Sequence, residues 1–168
     1  MKARSALMRA VLEHLADKLS LELESQIDCL PLGRPNPAAA GIFVTVWNGD
    51  FGTTPTNVNI LSETLGVNIT VSQRTRAAGS GWGRKRYWDE SDGLEVYTDR
   101  IKHELHGKNS IDILRTANDY IEDPDADRLL VGTLLKYQGE TVGIETGEWW
   151  GAEGAMSGLV STQVLWRS

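Results

Sequence analysis

Apolar residues recur at steps of three and four along the start of the chain. Met8, Val11, Leu12, Leu15 and Leu19 fall on one stripe and predict a helix over residues 5 to about 23. Pro31, Pro35 and Pro37 then break the pattern and predict an extended linker at 30–40. "GIFVTVW", 41–47, is β-branched and aromatic, which predicts a strand. Ile42, Val44 and Val46 lie on one of its faces and Phe43 and Trp47 on the other, so both faces are expected to be covered. "NGDFGTTP" reads as a turn-rich loop and "NVNIL", 57–61, as a short second strand. "GVNITVSQ", 66–73, alternates strictly, with Val67, Ile69 and Val71 opposed to Asn68, Thr70 and Ser72. That predicts a third strand with one wet face.

The helical period returns at 92–106, where Leu94, Tyr97, Ile101 and Leu105 form a stripe. Asp92 and Glu95 stand as a capping box and Gly107 as the stop. "SIDILRTANDYI", 110–121, fits a strand or a loop. Three strand-like stretches follow: "RLLVGTLLKYQ" (128–138), "ETVGIETGEWW" (140–150) and "GLVSTQVLW" (158–166). The order predicts one α+β domain over residues 1–168, a mainly antiparallel sheet with two helices packed on it. A long basic loop, 74–90, would join the third strand to the second helix.

The length of 168 residues and 40% hydrophobic content suffice for one real core. No apolar run approaches the roughly 20 residues of a membrane helix, so no membrane partner is expected. Arg9, Glu13, His14 and Asp17 interrupt the first apolar stripe, so it does not read as a secretion signal. Cys29 is the only cysteine, which rules out an internal disulfide and suits a reducing cytoplasm. A net charge of −6 argues against a general nucleic-acid binder.

Motifs for small-molecule chemistry are weak. There is no "GxxxxGK[ST]" phosphate loop and no "GxSxG" elbow, and "GSGWG" does not open a helix in a βαβ unit. His103 and His106 in "HELH" fall one residue short of the "HExxH" zinc pattern. A metal-assisted hydrolase would need a third ligand from the carboxylates near 119–127; the simpler reading is a solvated pair near a helix C-terminus. "DYIEDPDAD" carries Asp119, Glu122, Asp123, Asp125 and Asp127. It lacks the glycine and glutamate of a calcium loop, since Arg128 and Leu134 stand there. It reads as a turn, alone or also as an acidic docking patch. No catalytic residue, metal or cofactor is assigned. Trp149 and Trp150 are neighbours; in a strand they face opposite ways, so one enters the core and the other awaits a cover from the same chain or from a partner.

Residues 72–86 concentrate the positive charge. Arg74, Arg76, Arg84, Lys85 and Arg86 surround Trp82 and three glycines with no acidic residue among them; subtracting these five leaves the rest at −11. The stretch reads as a solvated loop, as a contact for acidic protein surface, or as a DNA contact with Trp82 stacking.

Four features together resemble the tail terminator (tail completion, minor tail protein) family of long-tailed bacteriophages. They are the amphipathic N-terminal helix with its proline linker, "LGVNITVSQRTRA", "YTDRIKHELHG", and the late strands "DRLLVGTLLKYQG" and "STQVLWRS". The resemblance covers most of the chain, apart from 139–157. It implies a non-enzymatic virion protein, made in the host cytoplasm, that forms a ring, usually of six subunits. The ring caps the tail tube, stops its polymerisation and meets the neck proteins, while genomic DNA passes through its hole. A head–tail connector of the neck is the neighbouring alternative. A ring needs two different patches on one chain. The basic run at 74–86 and the acidic segment at 119–127 supply such a pair, and strand edges could add another.

Overall fold

The computed structural model describes residues 1–29, 42–57, 60–74, 94–124, 128–129, 136–146 and 149–163. In chain order its elements are helix α1 (Ala3–Leu19), strands β1 (Ile27–Asp28), β2 (Ile42–Asn57) and β3 (Ile60–Arg74), and helices α2 (Leu94–Glu104) and α3 (Lys108–Asp119). Strands β4 (Arg128–Leu129), β5 (Lys136–Thr146) and β6 (Trp149–Gln163) follow. The class is α+β.

Helix α1 buries Ala6, Leu7, Ala10, Val11, Leu15 and Leu19. Met8 and Leu12, expected on the stripe, sit on its half-buried flank. The small Ala6 and Ala10 share the buried face with Leu7, Val11, Leu15 and Leu19. The helix stops four residues earlier than expected because Ser20 turns left-handed, at φ 53° and ψ 45°. The Ser20 amide donates to the Asp17 carbonyl at 3.3 Å and the Leu21 amide to Ala16 at 2.9 Å. Both otherwise unpaired carbonyls are satisfied, and Leu21 is returned to the core.

The sheet order is β1-β2-β3-β6-β4, with β5 also on β6. Antiparallel pairing sets Val44 against Val71 and Val46 against Ile69. β1 runs parallel to β2, Ile27 beside Val44. The sheet is therefore mixed: the β1–β2 pair departs from the antiparallel pairing expected, while the β2–β3, β3–β6, β4–β6 and β5–β6 pairs keep it. Parallel neighbours need a dozen or more residues between them, and residues 29–41 separate β1 from β2 in the sequence.

β2 runs straight through "NGDFGTTP", where a loop was expected. Register shifts at Asn48/Phe51 and Pro55/Asn57 absorb the turn-forming residues as bulges. Gly49 sits where backbones crowd: a Cβ there would lie 2.7 Å from the carbonyl carbon of Gly66 and 2.9 Å from the nitrogen of Val67. The expected strands 57–61 and 66–73 belong mostly to one strand, β3, apart from residues at the β2–β3 junction.

Among the described residues there are three helices, where two were expected. The segment read as strand or loop is α3, which buries Ser110, Ile113, Leu114 and Ala117. Its stripe was masked by a serine and an alanine and by β-branched isoleucines. Gly107, at φ 60°, both ends the α2 region and starts α3, so two helices share one glycine.

The core joins the three helices to Val44, Val46, Leu65, Val67, Ile69 and Val71 on one sheet face. The other face is covered as well. Phe43 and Thr45 are fully buried, as expected for a strand apolar on both sides, and Ser72 is nearly so. That last point corrects the wet face expected for 66–73. Asn68 and Thr70 there are half-buried, and Trp47 donates its indole N–H to the Thr70 hydroxyl at 2.9 Å. No helix among the described residues is long and apolar enough to cross a membrane.

Candidate interaction surface

The C-terminal end of α3 is the best-built polar feature among the described residues. A helix leaves its last carbonyls unpaired and carries partial negative charge there. Arg128, reaching back from β4, answers both needs. One guanidinium nitrogen donates to the carbonyls of Asn118 and Ile121, each at 2.8 Å, and the other to that of Asp123 at 3.0 Å. The fork matches a cluster of oxygens better than a point charge would. These three bonds go to backbone oxygens, while Asp119, Glu122 and Asp123 are exposed. The clamp thus fixes the shape of the acidic turn and leaves carboxylates at its surface.

The same end of α3 is tied to α1. The Tyr120 hydroxyl donates to Glu13, and Arg9 donates to the other oxygen of Glu13 at 2.8 Å. The Arg9 guanidinium also lies 4.2 Å from the centre of the Tyr120 ring. Burial pushes the Glu13 carboxyl up, but the Tyr120 and Arg9 bonds and the Arg9 charge together outweigh it and hold it below the usual glutamate range. The bond to Glu13, and secondarily burial, push the Tyr120 phenol above its usual value.

A second tie joins α1 to the end of α2. His14 Nε2 lies 3.0 Å from the Glu104 carbonyl and 3.8 Å from its carboxylate. Asn109 of α3 donates to that carboxylate at 3.4 Å. The sequence marked this histidine only as one of four polar interruptions of the α1 stripe, with Arg9, Glu13 and Asp17, and not as a helix-to-helix tie. The two that were singled out, His103 and His106, are both exposed. No three metal-ligating side chains converge among the described residues. Cys29 is half-buried, and burial, with the adjacent Asp28 charge, pushes its thiol up.

Arg74 ends β3 and pairs in register with Trp149 of β6, whose other neighbour is Thr146 of β5. Trp150 is matched likewise to Gln73 and Glu145. The first arginine of the basic stretch and the tryptophan pair therefore share one end of the sheet, a juxtaposition that sequence spacing did not reveal. The proline linker at 30–40, Arg76, Trp82, Arg84, Lys85 and Arg86, and Asp125 and Asp127 lie outside the described residues.

No protein-family model matches the chain, and no curated protein matches it in sequence.

Proposed function

We propose that the chain is a structural virion protein that forms a ring, of six copies, on the end of a phage tail tube. The ring stops tube growth and joins the tail to the neck, with DNA passing through its hole. One observation carries the reading: opposite charge is segregated along one chain. Five cations lie in 74–86, and the acidic turn after α3 is held in shape by Arg128 bonds that leave its exposed carboxylates at the surface. Such a pair of unlike patches suits a heterologous contact between identical copies.

In this reading the basic residues that follow Arg74 at the end of β3 reach the neighbouring subunit or the tube. Part of their charge lies near the DNA channel, and Trp149 and Trp150 add apolar contact near Arg74. The order of elements supports it in outline: an amphipathic helix, strands β1–β3, two helices meeting at Gly107, and the late strands β4–β6. The test is the triple variant Arg84→Ser, Lys85→Ser, Arg86→Ser. It is expected to keep the monomer's circular dichroism and melting curve and to lose ring or tube association. Unimpaired assembly by a folded triple variant contradicts the reading.

A further inference from the structure

Among the described residues the sheet ends on two long rows of backbone groups. β2 has 16 residues, yet only Val44 and Thr45 meet β1, so residues 46–57 pair on the β3 side alone. At the opposite end β5, of 11 residues, pairs with β6 alone. Such rows are templates for another strand.

Three features point to a second copy of this chain as the occupant. The rows are nearly equal in length, 46–57 against 136–146. Their directions also fit. The pairs β2–β3, β3–β6 and β6–β5 are all antiparallel, so β2 and β5 run in opposite senses. A copy that keeps the same strand directions then brings its β2 to β5 in the antiparallel sense, and alternation continues across the junction. Finally, both outer strands are bulged. Register shifts fall at Asn48/Phe51 and Pro55/Asn57 of β2 and at Gln138/Glu140 and Val142/Ile144 in the β5 ladder, whereas the β3–β6 ladder runs unbroken from Ile60 to Arg74. Bulges make an edge a poor template for an arbitrary strand and add the curvature that a closing sheet requires.

We infer that the β2 edge of one copy pairs with the β5 edge of the next, head to tail, so that the sheet continues from subunit to subunit. The inference rests on the ring reading and names its contact, a heterologous one that closes when the rotation closes.

Hydrogen exchange with mass spectrometry on the full chain tests it. Dilute monomer is compared with the assembled form, free or bound to tail tubes. In a monomer the outward amides of an edge strand exchange fast; about half of the amides of each edge strand point outward. Peptides covering 46–57 and 136–146 are expected to lose this fast phase together on assembly. An assembly in which both peptides exchange as fast as in the monomer overturns the edge pairing and leaves the ring reading standing. A chain that stays monomeric at every concentration and does not load onto tubes overturns both.

Discussion

The hydroxyl of Tyr120, just past the end of α3, donates to the carboxylate of Glu13 in the middle of α1, 107 positions earlier in the chain. With Arg9 on the other oxygen and over the ring, three side chains tie α1 to the end of α3. Tyr120→Phe keeps the ring and removes the bond. It is expected to cost about 0.5–1.5 kcal/mol in urea denaturation, because the carboxylate is partly wetted and keeps Arg9.

The same contact sets a pH window. Glu13 titrates lower in the folded chain than in the unfolded one, so its contribution is present above the ordinary glutamate value of about 4.3 and fades as pH falls through the folded value. Tyr120 titrates higher when folded, so its contribution is present below about 10 and fades as pH rises through the folded value. Stability of the wild type measured from acid to alkaline pH is expected to fall at both ends, and Tyr120→Phe to show smaller losses at each. Equal slopes for the two proteins would dissociate this contact from the pH response.

The carbonyl clamp of Arg128 gives a third expectation. Arg128→Ala strips three backbone oxygens of their donor and is expected to cost about 2–3 kcal/mol. Arg128→Lys should recover little, since one ammonium cannot reproduce the fork. Full recovery by lysine would mean that charge at the helix end, rather than geometry, is what counts.

These contacts show where sequence reading reached and where it stopped. The α1 stripe was legible because Val11, Leu15 and Leu19 repeat on one face. The covered faces of 43–46 were legible because apolar residues occupy both. Helix α3 was hidden because Ser110 and Ala117 occupy buried places that a hydrophobic pattern does not mark. β2 was cut short because Gly49, Asp50 and Pro55 are turn-formers by local propensity, and only pairing with β3 makes them bulges. His14 acts through a backbone carbonyl 90 positions away and Arg128 through carbonyls 5 to 10 positions back, contacts that no side-chain spacing rule encodes.

Gly49 offers a direct check of that long strand. Gly49→Ala would push a methyl against the backbone of Gly66 and Val67, and is expected to destabilise by about 1–3 kcal/mol. A neutral thermal-melt result would contradict the close approach of β2 and β3 at the bulge.

Thr45 offers the opposite sign. Its hydroxyl is fully buried and has no hydrogen-bond partner among the described residues. Thr45→Val keeps the β-branched shape, removes the polar atom, and is expected to raise stability by about 1 kcal/mol. A loss of stability on the same measurement would reveal a partner for that oxygen.

In the proposed function, copies of this chain assemble around an axis at the end of a tail tube. Electron microscopy of purified tail tubes, with and without added protein, tests it most directly. The account predicts a ring of density with a central hole at one end of each tube, and tubes that no longer lengthen when tube subunits are supplied. Bare tube ends that keep growing in the presence of excess folded protein would contradict it.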